Sequence, residues 1–286
     1  MAKGRELKGR IKSVENTRKI TRTMEMVATS KMKRAMDRVV GARPYAQALG
    51  EVMSRLYSPE LAERFPLLRQ PTNTRRAAIL LITANRGLSG PFNANLIRES
   101  RGLIGQLERD GVDVELHTVG RKGLGYYRYI GREIASSRID IGDRPTAQNA
   151  AELVDDLMAA FANGRLDAVY IVQAHFKSAI STPPTTVKIL PVTPPDASEG
   201  KQHDYLLYPS AEEILSSLLP AYVRNMVYRA LVENVAAFYS AQRTAMKNAT
   251  DNATDMLNIL RRTYNRARQA NITQEIAEIV GGAAAL

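Results

Sequence analysis

The last quarter of the chain carries apolar and small residues at alternating steps of four and three. This stripe runs Val235, Tyr239, Gln242, Met246, Ala249, Ala253, Met256 and Leu260, which is the spacing of a helix that faces a partner helix. No glycine occurs between Gly200 and Gly281, and no proline follows Pro220. The residue types that commonly end a helix are therefore missing from the stripe. We predict one long C-terminal helix over residues 210–286 that pairs with another helix.

The N-terminal residues 1–57 show the same spacing and supply the predicted partner helix. The stripe consists of Leu7, Ile11, Val14, Thr21, Met24, Ala28, Met32, Ala35, Val39, Ala42, Ala46, Leu49, Met53 and Leu56. Alanine and methionine dominate both stripes, so the two backbones can approach closely while flexible side chains fill gaps. Pro44 removes one backbone donor and is predicted to kink or interrupt the helix. Alternatively, Pro44 starts a second helix.

The region between these helices, residues 75–195, alternates strand-like and helix-like patterns. The predicted strands are Ala77–Ala84, Val112–Val119, Ile134–Ile139 and Ala168–Gln173, and the predicted helices are Phe92–Arg109, Lys122–Ile130 and Thr146–Asn163. Pro183, Pro184, Pro191, Pro194 and Pro195 mark a strand edge and a following exposed loop. Such alternation predicts a mostly parallel, Rossmann-like sheet covered on both faces. The fold class is therefore α/β, with a small domain inserted into a long antiparallel coiled coil.

Composition limits the cellular compartment and the kinds of partner that suit this fold. The chain has 286 residues and no cysteine, which excludes a disulfide framework and a thiol nucleophile and fits the reduced cytoplasm. Its longest apolar run, Ala77–Ala84, is too short to cross a bilayer. The first 43 residues hold thirteen lysines and arginines against four acidic residues, and so account for nine of the net +11 charges. A basic helix can meet nucleic acid, anionic lipid or an acidic protein surface.

Candidate chemistry is sparse. A glycine-containing turn, Asn85–Gly90, follows the first predicted strand and leads into a helix, the place where nucleotide-binding folds hold phosphate. It matches neither a Walker A loop nor the spaced dinucleotide glycines, so a plain strand-to-helix turn is the favoured interpretation. The three histidines, His117, His175 and His203, are scattered without partners at metal-ligand spacing. We therefore predict no cofactor and no metal.

Four separated motifs resemble one known family. They are Thr23–Met32 (TMEMVATSKM), Arg43–Tyr45 (RPY), Asn85–Gly90 (NRGLSG) and the C-terminal run from Tyr264 to Leu286. Together, and in this order, they are similar to the gamma subunit of F-type ATP synthase. Two departures are mild, since the family often has Asp where Asn85 stands and Cys where Ser89 stands. The resemblance covers the whole chain.

The resemblance implies a function and a set of partners. One copy of such a subunit forms the central stalk, its coiled coil inside a hexamer of alpha and beta subunits and its α/β domain beside the epsilon subunit and the membrane c-ring. Rotation of the c-ring by proton flow is transmitted to the hexamer, which holds the nucleotide sites. The subunit is then a non-catalytic part of the enzyme, peripheral to the cytoplasmic face of the bacterial plasma membrane and bound there only through partners, with no nucleic acid.

The same resemblance assigns contact residues. Those expected to meet the beta subunits are Arg268, Gln269, Thr273, Glu275, Met24, Lys31 and Arg34, and those expected to form the foot on the c-ring and epsilon side are Asp204, Tyr205, Leu206, Leu207 and Tyr208. The apolar end, residues 283–286, is expected to lie in the upper sleeve of the hexamer. A basic helix suits an acidic beta-subunit surface.

Two other classes of function stay open on the sequence alone. The first is a nucleic-acid-binding coiled coil that uses the basic N-terminal helix, although aromatic residues make up only 6% of the chain and Trp is absent. The second is a small-molecule enzyme that uses the α/β domain. A salt-sensitive shift of duplex DNA would favour the first, and stabilisation by a nucleotide would favour the second.

Overall fold

A computed structural model describes residues 2–56, 64–193 and 210–284. Its helices are α1 (Ala2–Leu56), α2 (Phe92–Arg109), α3 (Arg121–Tyr129), α4 (Ala147–Ala162) and α5 (Ala211–Ala284), with a short 3-10 turn at Pro66–Leu68. Its strands are β1 (Arg76–Ile82), β2 (Asp113–Val119), β3 (Ser136–Arg138), β4 (Ala168–Ala174) and β5 (Pro184–Leu190). The chain divides into two compact units. One comprises Met1–Thr29 with Gln242–Leu286, and the other Ser30–Ala241.

In the first unit, α1 and α5 pack against each other in antiparallel directions. The Thr250 hydroxyl donates to the Thr21 hydroxyl at 2.8 Å, and the Arg261 guanidinium donates to the Glu15 carboxylate at 2.5 Å. The partner number on α1 falls as the number on α5 rises, which fixes the antiparallel sense. Ala28, Ala253 and Leu257 are buried, consistent with close approach of two backbones at small side chains. The predicted pairing of the terminal helices is confirmed.

The stripe predicted for α1 is confirmed along its whole length, because every one of its members is buried or half-buried. The stripe predicted for α5 holds at every member except Met256, and its last member, Leu260, is half-buried. Leu257 is 1% exposed, whereas Met256, the predicted member, is 53% exposed. After Ala253 the buried face advances by four residues rather than three, which the 3.6-residue period of the helix requires at intervals.

Pro44 does not divide the N-terminal helix. The structure has a single helix from Ala2 to Leu56 with Pro44 inside it. An interruption and a second helix are therefore both wrong, and a kink at Pro44 stays a prediction. A proline costs the helix one backbone hydrogen bond. The buried stripe continues on both sides of it, with Val39 before and Leu49 after, and this packing outweighs the local loss.

The second unit contains a five-stranded sheet of order β3-β2-β1-β4-β5. All neighbouring pairs are parallel except β4 and β5, so the prediction of a mostly parallel sheet is confirmed. β5 is the strand edge that the proline cluster indicated. Helix α2 was predicted with its observed bounds, and α3 and α4 lie within a residue of theirs. Thr146 caps α4 with its hydroxyl accepting from the Asn149 backbone N–H.

The sheet is buried on both faces, which explains its long apolar strands. Ala78, Leu80 and Ile82 of β1 belong to a core that also contains side chains of α4, of α5 and of the end of α1. Ile79 and Leu81 point to the opposite face and are also buried. That face is covered by α2, which contacts β1, β2, β4 and β5. A continuous run of apolar residues is the expected pattern for such a central strand.

The ends of β1 and β2 meet in a tight junction at Gly120. The Thr83 hydroxyl donates to the Val119 carbonyl at 2.9 Å and accepts from the Gly123 backbone N–H at 2.9 Å. Gly120 has a φ of 93°, a left-handed conformation that favours glycine. A Cβ at this position would lie 2.3 Å from the Thr83 carbonyl oxygen. The residue after β2 must therefore be glycine for α3 to start where it does.

Candidate functional surface

The last turns of α5 present the first group of predicted contact residues. Arg268, Gln269, Thr273 and Glu275 are all exposed. Within the described part of the chain, none of the four side chains has a hydrogen-bond or ion-pair partner. Side chains that are polar, exposed and unpaired are available to a partner. Gln269 and Thr273 are one turn apart, so they share a face of the helix.

Apolar residues are exposed in the same turns of α5, a feature that the sequence interpretation did not use. Ile272, Ile276, Ile279 and Val280 are each about half exposed or more. In the antiparallel register of the first unit, Thr250 pairs with Thr21 and Arg261 with Glu15. Extended along both helices, this register places Ala2, where described α1 begins, opposite the region of Thr273. Beyond that point, Ile276, Ile279 and Val280 have no described helix opposite them. Exposed isoleucines rimmed by polar residues are typical of a protein interface.

Met24, Lys31 and Arg34 lie on α1 and differ in their availability. Met24, in the first unit, is half-buried. Lys31, in the second unit, donates to the Asp143 carboxylate at 2.9 Å and to the Tyr239 hydroxyl at 3.2 Å. Arg34 is exposed and donates to the Ser30 hydroxyl at 3.1 Å. Of these three, Arg34 is the one whose charge is directed toward solvent.

Asp143 holds together a charged cluster that the sequence did not reveal. Both of its carboxylate oxygens accept from Arg86, at 3.0 and 2.8 Å, and its backbone carbonyl accepts from Arg38 at 3.1 Å. Burial alone would raise the pKa of Asp143, but hydrogen bonds from Tyr239 and Lys31 outweigh it and hold that pKa below its ordinary value. The hydrogen bonds that Lys31 donates to Asp143 and to Tyr239 raise the pKa of Lys31. Asp143 thus joins α1, the loop after β1 and α5 within the second unit.

Asp143→Asn is expected to lower the free energy of unfolding by about 1 kcal/mol at neutral pH, since the pair is partly exposed. A lowered folded-state pKa stabilises the fold above the unfolded-state pKa, near 4, and this gain is lost as the pH falls through the folded value. The difference between the variant and the parent chain should therefore shrink below about pH 4. Urea unfolding at several pH values measures it.

Asp37→Asn is the matched control, because Asp37 is exposed on α1, one of the helices that Asp143 contacts, and has no partner among the described residues. It should change the stability by much less than Asp143→Asn. An equal loss in the two variants, or a loss at Asp143 that does not vary with pH, would contradict the assigned role of this carboxylate.

The Asn85–Gly90 turn at the end of β1 is tied to its own fold. The Asn85 amide donates to the carbonyls of Ile139 and Ile141 at 3.0 and 3.1 Å, and its oxygen accepts from the Arg121 backbone N–H at 3.0 Å. Ser89 is 1% exposed. The Asn85 side chain is thus fully engaged internally, whereas the buried Ser89 hydroxyl has no hydrogen-bond partner among the described residues. This geometry fits the interpretation of a structural turn.

The predicted foot, Asp204, Tyr205, Leu206, Leu207 and Tyr208, lies outside the described residues, and so do Ala285 and Leu286 of the apolar end. Their assignment stays a prediction from the sequence. Among the described residues, no helix is both long and apolar enough to cross a membrane. Likewise, the described residues contain no cluster of three or more side chains suited to a metal.

Comparisons with known proteins cover the whole chain. A family model described as ATP synthase matches residues 3–286. A protein of Gemmatimonas aurantiaca, the ATP synthase gamma chain, is 67% identical over all of this chain and 99% of its own length. The corresponding protein of Leptospira biflexa is 44% identical over the full length of both. These are full-length similarities, not matches to one domain.

Solved structures share the fold. A chain of the Tetrahymena thermophila mitochondrial ATP synthase central stalk and c-ring superposes with a TM-score of 0.62 at 26% identity, over 80% of this chain and 99% of its own. A chain of the Euglena gracilis mitochondrial ATP synthase rotor gives 0.66 at 20% identity, over 95% and 99%. The second likeness speaks for the fold alone.

Proposed function

The chain belongs to the ATP synthase gamma-chain family, and from this premise we propose that it is the central rotor shaft of a bacterial F1Fo ATP synthase. The observation that carries the proposal is the full-length 67% identity to an ATP synthase gamma chain. The antiparallel pairing of α1 and α5 supports it, because a two-helix shaft resists twisting better than one helix. The shaft transmits rotation of a membrane c-ring to a catalytic hexamer and couples proton flow to ATP synthesis.

We infer that the partners are the alpha and beta subunits, the epsilon subunit and the c-ring. The end of α5 suits the beta subunits, because Arg268, Gln269, Thr273 and Glu275 are exposed and unpaired while isoleucines lie exposed beside them. Arg34 suits an acidic surface, because it is exposed and its one hydrogen-bond partner, the Ser30 hydroxyl, is neutral. Lys31 is less available, since Asp143 and Tyr239 hold its ammonium group. Met24 is half-buried and contributes through shape rather than charge.

We further infer that the chain provides no catalytic group and is held at the membrane through its partners, on the cytoplasmic face. Thr83 and Asn85, at the end of β1 where α/β folds often bind ligands, use their side chains in internal hydrogen bonds. The shaft acts instead by contacting the different conformations of a beta subunit with different affinities. It drives a beta subunit toward the conformation that its asymmetric surface binds best, as any conformational driver must.

Assembly tests the proposal. The chain is produced together with the alpha and beta subunits of Gemmatimonas aurantiaca, whose gamma chain is 67% identical to it, and the complex is purified through a tag on beta. We expect one copy of the chain per hexamer and an ATPase activity above that of alpha and beta alone. A chain that is folded by circular dichroism yet absent from the purified complex would contradict the proposal.

A further inference from the structure

A basic cavity of about 210 Å³ lies in the second unit between α1, the loop after β3 and α5. Its polar lining consists of Lys31, Arg34, Arg38, Asp143, Arg144 and Tyr239. Four cations thus surround one carboxylate. The proposed function assigns Arg34 of this lining to an acidic protein surface, but it assigns no small ligand to the cavity.

The single carboxylate in the lining is already neutralised. Its oxygens accept from Lys31 at 2.9 Å and from Arg86 at 2.8 and 3.0 Å. Lys31 is also held by the Tyr239 hydroxyl and lies 5.2 Å from the centre of that ring. The Asp143 carboxylate is therefore paired with Lys31 and Arg86. It leaves no negative charge to balance the other cations of the cavity lining.

Three arginines are left with unmatched charge. Arg34 donates to the neutral Ser30 hydroxyl at 3.1 Å, and Arg38 donates to the neutral backbone carbonyl of Asp143 at 3.1 Å. Arg144 has no hydrogen-bond or ion-pair partner within the described part of the chain. None of the three is paired with a carboxylate there. Guanidinium groups converging without a counter-ion create a positive potential that a multivalent anion would satisfy.

The chemistry of the lining selects the class of anion. Each guanidinium offers several N–H donors in a planar fork that matches the oxygens of phosphate, and such charge-assisted bonds are among the strongest in proteins. The cavity is smaller than the roughly 300 Å³ at which pockets for drug-sized ligands begin. It therefore suits a compact group with many oxygens and at least two negative charges. We propose that Arg34, Arg38 and Arg144 form a binding site for a phosphate-class oxyanion.

Two sources could supply this group: free phosphate or pyrophosphate, and the phosphoryl tail of a nucleotide. The lining has one aromatic ring, Tyr239, and Lys31 already lies against it. The site thus recognises the phosphate group itself. Binding here would stabilise the second unit, since a ligand that binds only the folded chain raises its apparent stability.

The test uses the purified full chain and sodium pyrophosphate. Thermal unfolding is followed as pyrophosphate is added, against sodium chloride at equal ionic strength. We expect a saturable rise in the midpoint with pyrophosphate beyond that with chloride. Arg38→Gln combined with Arg144→Gln is expected to weaken the apparent affinity about tenfold or more. ATP is titrated in parallel, and tighter binding of ATP or of pyrophosphate identifies the source.

Arg101→Gln combined with Arg128→Gln is the matched control. Both residues are exposed on other helices of the unit, and this pair also removes two positive charges. The control should bind like the parent chain. If the two pairs weaken binding equally, the effect is one of net charge and the site does not exist. No saturable shift in the parent chain also overturns the proposal. Arg144→Gln alone, at an exposed position, replaces the first pair if that pair fails to fold.

Discussion

Replacing Gly120 by alanine is expected to destabilise the chain by about 2–4 kcal/mol, the sum of two separate penalties. The first is conformational, because Gly120 has a φ of 93°, which costs an alanine about 1 kcal/mol. The second is steric. The new Cβ would lie 2.3 Å from the Thr83 carbonyl oxygen, a backbone atom at the end of the central strand that cannot rotate away.

Gly131→Ala separates the two penalties. Gly131 has a φ of 72°, but a Cβ there would meet nothing within 4 Å. Only the conformational cost applies, so we expect a loss of about 1 kcal/mol. Urea unfolding of both variants gives the comparison. Equal losses of stability in the two variants would show that the backbone at Thr83 moves to accommodate the new Cβ at position 120, which would contradict the steric penalty.

Replacing Arg268 and Gln269 together by alanine is expected to reduce ATP-driven proton pumping about tenfold or more while leaving the isolated chain folded. Both side chains are exposed and unpaired within the described residues, so the fold loses little. Under the proposed function they meet the beta subunits, where loss of a charged, multi-donor pair weakens the contact that drives the conformational change. Pumping and hydrolysis are measured on the reconstituted enzyme.

Lys247→Ala combined with Asn248→Ala serves as the control for this pair. These residues also form a cation followed by an amide, are exposed on α5 and have no partner among the described residues. The control is expected to pump like the parent enzyme. Wild-type coupling in the Arg268 and Gln269 variant, or an equal loss in the control, would contradict the assignment of these two residues to the beta contact.

Local patterns predicted most of the fold. The stripe of α1 and the bounds of α2 follow from periodicity alone, because a helix that buries one face must repeat its apolar residues every three or four positions. The burial of Leu257 in place of Met256 does not follow from this periodicity. Whether the stripe advances by three or four is decided by packing against the other helix, and Met256 is as apolar as Leu257.

The charged cluster at Asp143 was beyond the reach of the sequence for a different reason. Its partners Lys31 and Tyr239 lie about a hundred residues away on either side, and no motif or spacing connects them. The sequence predicts that Asn85 and Arg86 belong to a turn. Their hydrogen bonds to Ile139 and Asp143, however, depend on the order of strands in the sheet. The family resemblance predicts contact residues, of which the four on α5 are exposed, whereas the basic cavity is evident only from the tertiary structure.

A single-molecule measurement shows whether the chain rotates within a hexamer. The chain has no cysteine, and Tyr129 is 88% exposed on the α/β sheet unit, so Tyr129→Cys gives a unique site for a bead. With the hexamer fixed to a surface, addition of ATP is predicted to turn the bead continuously in one direction. A complex that contains the chain and hydrolyses ATP while the bead only fluctuates would contradict the rotor account.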